Sequence, residues 1–567
     1  MKVTPVLLAL WFVVAAVATP ATAAISGQSA SVSGQSASVS GQSVNVASDR
    51  SANGSGAPPD PKTDVIGWED GYWYNESIDV DQSDGLSDAE LEAYVARSMA
   101  RVEYIRDREF KERVPVSVLS RAEYRNQSAN QTRNGPYGAW NNQVWEALFV
   151  VGEQTDVQKE LGSTVGSSVL GFYSPREDAI QIITDTPDSP TIDNATLVHE
   201  LTHAMQDQYY NLSSPTYSAP TQDGDLATNG VVEGEANYVE ERYRQHCQSD
   251  WECVATPSGD GGGGGPGPNP GILLTLLQPY SDGPVYVDHL RDRGGWDAVD
   301  AKFRHPPNSS EQIIHLTDDA PRPISYTDEA TGGWRLFPSQ GQNGSDTVGE
   351  ASIYVMLWYQ ARTYGADTVN PRDLFDASGP YDLYDYESTP SSGWANDRVF
   401  PYHRGTGDGA DYGYVWVTEW DTTRDAREFE QAYRAILAAH DARQRSDGVY
   451  VVRNDPWADA FRVVRNGTRV TVVNGPTPAD VADIRPSLSP SATTTRSPTT
   501  TTAATTQSTT AATATTTTSA TTTGEGSQTT TGAGNGAGIA APGLGFATGV
   551  LALALAAVTL VLRRRER

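Results

Sequence analysis

The sequence predicts a mixed α+β fold, and three observations predict it. Ser87 to Phe110 places Leu91, Tyr94, Val95, Met99, Val102 and Ile105 near a 3.6-residue period, as a helix requires. Val114–Leu119 and Ala179–Thr184 are short runs rich in β-branched residues and read as strands. Near the end of the folded part, Phe461–Arg465 and Thr468–Val473 flank Asn466-Gly467, the pattern of a β-hairpin with an Asn-Gly turn.

Taken in chain order, residues 1–23 read as a secretory signal. Lys2 supplies the charged start, Val6–Ala18 the apolar centre and Ala21-Thr22-Ala23 a small-residue cleavage site. Residues 24–63 form a low-complexity spacer built on a Ser-Gly-Gln-Ser-Ala-Ser-Val repeat that cannot bury a core. The folded part divides into 64–260 and 272–484 about a Gly/Pro loop at 261–271. Residues 485–540 are a Thr-rich stalk of the kind that carries O-linked sugars. In 541–567 an apolar run ends at Leu562 and is followed by Arg563-Arg564-Arg565, long enough to span a bilayer with its tail inside the cell.

The chain holds 71 acidic against 41 basic residues, a formal net charge of −30, which excludes nucleic acid as a natural partner. Lysine is confined to Lys2, Lys62, Lys111, Lys159 and Lys302. An acidic, lysine-poor surface resembles the proteins of salt-loving archaea, where salt screens the repulsion. Cys247 and Cys253 are close in sequence and, in an exported chain, form a local disulfide. Asn53, Asn75, Asn126, Asn130, Asn194, Asn211, Asn308, Asn343 and Asn466 begin Asn-x-Ser/Thr sequons, which suits a surface glycoprotein.

The chemistry concentrates in Thr191 to Tyr210, which contains His199-Glu200-Leu201-Thr202-His203. At about 100° per residue the two histidines lie one turn apart on one helix face, with Glu200 beside them. Leu197, Val198, Leu201, Ala204 and Met205 take the opposite side. Two neutral imidazoles suit Zn²⁺, and the adjacent carboxylate can serve as base toward water. Gln206 and Tyr209 stand where a metzincin needs Gly and a further ligand. The third ligand is therefore sought in Val232-Glu233-Gly234-Glu235-Ala236-Asn237, where Glu233 and Glu235 flank an apolar stripe. Asp207 also lies on the metal face and reads as a supporting carboxylate.

At these two motifs the chain resembles the gluzincin peptidases, which carry Glu-Gly-x-Ala on the second helix. The resemblance implies a zincin-like catalytic core, a mixed sheet plus two motif helices, with further C-terminal helices and the hairpin beyond it. It implies a zinc peptidase with Glu233 as third ligand, Glu200 as general base and Asn237 as partner of a zinc histidine. Glu235 is the alternative ligand. By the same likeness, Ala179–Thr184 pairs with extended substrate. An oxyanion donor is expected downstream, with His315 ahead of Tyr280 and Tyr354. The Thr-rich stalk, Pro542-Gly543-Leu544-Gly545, apolar helix and arginines resemble the archaeal PGF-CTERM sorting tail. That likeness implies an archaeosortase-like processing enzyme as partner and a membrane anchor through the helix or a lipid. The expected function is cell-surface hydrolysis of peptide or protein substrates. A non-catalytic zinc-binding cell-envelope glycoprotein is the alternative.

Overall fold

Local rules set the first elements. In the computed structural model, which describes residues 58–129, 135–165, 170–255, 269–377 and 379–489, helix α1 (Asp88–Arg106) starts at a capping box. Ser87 accepts from the Glu90 N–H, and the Glu90 carboxylate accepts from Ser87. The short hairpin of β1 (Trp68–Glu69) and β2 (Tyr72–Trp73) packs on α1. The fully buried Glu103 of α1 pins this region by accepting from Gly67 N (2.9 Å) and Phe110 N (2.8 Å).

Burial pushes Glu103 up to about 9; the two N–H donors oppose this, and Glu69 and Glu109 add to it. Glu69 is likewise raised by burial, to about 8. Groups whose pKa is raised by folding stabilise the fold fully below about pH 4.5, and that contribution is lost as pH rises toward 8–9. The melting temperature should therefore fall across this window at fixed salt, and Glu103→Gln should flatten the fall. An unchanged profile in the variant would exclude Glu103 as its source.

A three-stranded sheet follows. Strand β3 (Val116–Ser120) leads through α2 (Arg121–Ala129), α3 (Pro136–Ala147) and α4 (Val157–Val165) to β4 (Gly171–Ser174) and β5 (Ala179–Thr184). The order is β3-β5-β4, with β3 parallel and β4 antiparallel to β5. The expected substrate strand Ala179–Thr184 is thus the central strand, paired on both sides. The edges are β3 and β4, and β4, whose four residues are too short a run to stand out in the sequence, is the edge beside helix α5 (Asn194–Tyr210).

Helix α5 packs on this sheet, α6 (Gln222–Ser249) packs on α5, and α7 (Pro270–Arg304) packs on α6. α7 leaves helical geometry at Gly294 and Gly295. α8 (Ser310–Ile314), β6 (Arg335–Leu336) and α9 (Gly349–Tyr364) precede a large antiparallel sheet. That sheet adds β7 (Trp394–Arg404), β8 (Asp411–Trp420), β9 (Arg443–Gln444), β10 (Tyr450–Val451), β11 (Ala460–Asn466) and β12 (Arg469–Gly475). Its order is β6-β7-β8-β12-β11-β10-β9. α10 (Thr423–Ala439) packs Phe429, Tyr433 and Ile436 into a cluster with Trp416 and Val472 of the sheet, while α11 (Pro478–Ile484) joins a second cluster with Val415 and Val473.

The β11–β12 hairpin is present, but Asn466 pairs with Arg469, so the two-residue turn is Gly467-Thr468. Gly467, at φ +63°, takes the first central position, where a type II′ turn requires a positive φ. One hydrophobic core joins Trp140, Trp145 and Phe149 to Leu273, Trp358, Trp416 and Trp457, so residues on both sides of the 261–271 connection share it. Cys247 and Cys253 are disulfide-bonded. Of the described sequons, Asn194 has its amide nitrogen engaged by Val254 O at 2.6 Å.

Among the described residues no helix is long and apolar enough to cross a membrane. The signal segment, nearly all of the spacer and stalk, and the whole sorting tail lie outside the described residues.

Candidate metal centre

α5 begins where the sequence allows it to. Asp193 caps the helix by accepting from Thr196 N, and Leu197, Val198, Leu201, Ala204 and Met205 bury into a core with Tyr173, Ile180 and Ile182 of the three-stranded sheet. The opposite face turns His199 and His203 toward α6. Much of the long spacing from His203 to Glu233 is helical. After the Asn211 cap and a short connection, α6 starts at Gln222, capped by Thr221, and runs about three turns before Glu233.

His199, His203 and Glu233 come together, each offering one ligand atom within 4.8 Å of the others. The Oε2 of Glu233 lies 3.2 Å from His199 Nε2 and 3.4 Å from His203 Nε2. Zinc bonds of about 2.0–2.1 Å at tetrahedral angles set neighbouring ligand atoms about 3.3 Å apart. The two distances to Glu233 lie close to that figure. All three residues and Glu200 are fully buried, at 0% exposure. Yet Glu233 Oε1 and Glu200 Oε1 have no hydrogen-bond partner. Two orphan carboxylate oxygens beside two imidazoles are a donor set suited to a cation.

The outer groups orient the rings. His203 Nδ1 lies 2.9 Å from Gln206 Oε1. Both protons of the Gln206 amide are directed elsewhere, to Val232 O and Glu235 Oε2, each at 2.9 Å. The Gln206 oxygen must therefore accept, so Nδ1 carries the proton and Nε2 offers its lone pair toward Glu233. His199 Nδ1 meets Glu240 Oε2 at 3.3 Å in the same sense. Glu240 thus takes the part expected of Asn237, whose buried amide nitrogen has no partner. Glu235 is not in the ligand group: it is bound by buried Arg106, which also pairs with Asp300.

Burial works to raise Glu233, but His203 and His199 outweigh it and hold the carboxyl at about 2. Burial works to depress His199, but Glu233 and Glu240 overcome it and bring the ring to about 9. Burial pushes Glu200 up to about 8, against the pull of His203 and of the Tyr173 N–H. That N–H, on edge strand β4, donates to Glu200 Oε2 at 2.7 Å. Tyr173 also donates from its hydroxyl to Asp207 at 3.0 Å, which leaves Asp207 a supporting group outside the ligand set. A surface cleft of about 400 Å³ runs beside β4 and α5, lined by Tyr173, Ala204, Asp207 and Gln208 among others.

The expected oxyanion donors scatter. His315 pairs with Glu350 at 2.9 Å and approaches Glu387, and it is not part of the ligand group. Tyr354 packs on Tyr386. Tyr280 of α7 is the candidate that reaches the centre, its ring stacked 6.4 Å from that of His199. Sequence reasoning missed Glu240, Gln206 and Tyr173. Glu240 stands two turns after Glu233, and Gln206 one turn after His203, so a helical wheel carries a signal for both. Tyr173 acts through its backbone, for which the sequence has none.

Against known families, residues 334–485 match a domain of unknown function, DUF8575. The match covers the large sheet from β6 through α11 and stops short of the metal helices. No curated protein and no solved structure matches the chain.

Proposed function

We propose that this chain is a zinc-dependent peptidase of the outer cell surface, acting on peptide or protein substrates. One observation supports the reading: His199, His203 and Glu233 each offer a ligand atom within 4.8 Å of the others, with Glu200 buried beside them. Zn²⁺, when bound, supplies Lewis-acid polarisation of the carbonyl and an acidified water.

The remaining chemistry belongs to the chain. Glu200, steadied by Tyr173 N, accepts the proton of the attacking water through its free oxygen and delivers it to the leaving amine. Tyr280, whose ring stacks near that of His199, is the proposed oxyanion donor in preference to His315. A short edge strand next to the metal helix supports a zincin-like reading, in which β4 rather than β5 would lie alongside extended substrate. The anchor and export readings rest on the terminal sequences alone: a C-terminal helix or lipid tether, set by an archaeosortase-like enzyme.

The complete burial of Glu200 and the three ligands favours a second reading, a non-catalytic zinc-binding envelope glycoprotein. Glu200→Gln separates the two. Zinc content should stay at one ion per chain while hydrolysis of casein or a peptide library falls roughly 10²–10⁴-fold. A variant as active as the parent would exclude the mechanism. A zinc-loaded parent without turnover would establish the envelope-protein reading.

A further inference from the structure

Helix α1 buries three arginines, Arg97, Arg101 and Arg106, and they are not treated alike. Arg106 is paired with Glu235 and Asp300. Arg97 and Arg101 lie one turn apart at 1% and 0% exposure, and among the described residues neither has a carboxylate as an ion-pair partner. Arg101 spends its nitrogens on neutral acceptors, namely Tyr74 O at 2.8 Å, the Tyr243 hydroxyl at 2.9 Å and Glu252 O at 2.8 Å. Arg97 donates from Nη1 to the same Glu252 O at 3.1 Å. Burial brings Arg97 down to about 10 and Arg101 adds to the fall, while the phenols of Tyr243 and Tyr94 oppose it. Two like charges held side by side in a low dielectric call for a counter-charge.

The atoms of Arg97 mark where that counter-charge belongs. Its Nε and Nη2 are both buried and have no hydrogen-bond partner. These two nitrogens form one edge of the guanidinium, and their N–H bonds run parallel. This is the fork with which arginine grips an anion through two bonds at once. The neighbouring polar groups do not fill it. The Tyr94 and Tyr243 hydroxyls both donate to Asn194 Oδ1, at 2.8 and 3.2 Å, and the Asn194 amide nitrogen donates to Val254 O at 2.6 Å. Arg97 therefore carries a full charge and a two-pronged donor into the interior, among groups whose own bonds are made elsewhere.

We propose that a chloride ion sits on the Nε–Nη2 edge of Arg97 and offsets the charge of the Arg97–Arg101 pair. A single atom can accept from both prongs, and complete burial excludes a peptide carboxylate or a lipid headgroup from the same place. The ion would fix α1 against three neighbours. One is the segment 252–254, which follows α6 and is closed by the Cys247–Cys253 disulfide. The second is Tyr243 of α6, and the third is Asn194, the first residue of α5. None of these residues belongs to the metal group, so the inference is independent of the zinc reading.

The test uses the full exported chain, loaded with zinc, in concentrated potassium glutamate. Chloride replaces glutamate stepwise at constant potassium, which keeps the screening of the acidic surface fixed. The melting temperature should rise with the logarithm of chloride concentration, as it does for a ligand that binds only the folded chain, and bromide should act alike. Arg97→Gln removes both charge and fork and should abolish the rise. Arg97→Lys keeps the charge without the fork and should need roughly tenfold more chloride for the same shift. Arg445→Gln, an exposed arginine elsewhere, should respond like the parent. Crystals of the parent grown in bromide should show an anomalous peak between Arg97 Nε and Nη2, a readout that requires no variant to fold. A parent indifferent to chloride, the parental rise in Arg97→Gln, parental chloride demand in Arg97→Lys, or water instead of bromide at the fork would overturn the proposal.

Discussion

Glu233→Gln is expected to leave the purified chain without stoichiometric zinc, while Glu235→Gln keeps it. The two glutamates are one residue apart around Gly234 and chemically identical, so the difference lies in where α6 sends them. Glu233 faces both Nε2 atoms and has one oxygen with no other partner. Glu235 is committed to Arg106 and to the Gln206 amide. Removing its charge leaves Arg106 with Asp300 alone in a buried setting, and loss of such a partner costs about 3 kcal/mol. Glu235→Gln should thus melt earlier at unchanged metal content. Glu240→Gln, which touches only the outer nitrogen of His199, should weaken zinc by roughly 10–100-fold. Glu233→Gln should exceed that loss. Metal analysis beside thermal denaturation distinguishes the three, and zinc retained by Glu233→Gln but lost by Glu235→Gln would reassign the ligand.

The parts of this site that were legible are those fixed by helical geometry. His199, Glu200 and His203 had to share a face, and the apolar back face located the helix within a few residues. Strand β5 was legible for the same kind of reason, from its β-branched run. Its neighbours were not, because side-chain pattern says that a strand exists without saying which strands flank it. The edge beside α5 therefore fell to β4, whose Gly-Phe-Tyr-Ser is too short to carry a period. The choice of Glu240 over Asn237 was open in the sequence, since both follow Glu233 on nearly the same side of α6. The large sheet was hardest to read. β7 and β8 have long stretches buried on consecutive residues, so the alternation that marks a half-exposed strand is missing. His315 lies at the end of a five-residue helix, and only the packing of α8 on α9 decides that it meets Glu350.

Packing also decides how firmly Glu233 is held, and here a single methyl group should have a large effect. α6 and α7 touch backbone to backbone at Gly234 and Gly283. A Cβ on Gly283 would stand 2.6 Å from Gly230 O and 2.8 Å from the Gly234 Cα, and one on Gly234 would stand 2.6 Å from the Gly283 carbonyl. The obstructing atoms are main chain on both helices, so no side chain can turn aside to make room. Gly283→Ala must push the helices apart, at about 1–3 kcal/mol for overpacking. Gly234 adjoins the proposed ligand, and Tyr280 sits about one turn before Gly283 against His199. The same displacement therefore shifts a ligand and a ring that packs on another. Gly283→Ala should lower both the denaturation midpoint and zinc affinity, and Gly283→Val should lower them further. Gly162→Ala is the control, because nothing lies within 4 Å of a Cβ there and alanine favours the helix. It should be neutral or stabilising. A Gly283→Ala chain that melts and binds zinc like the parent would show that α6 and α7 can separate freely, and the close crossing would then have no part in holding Glu233.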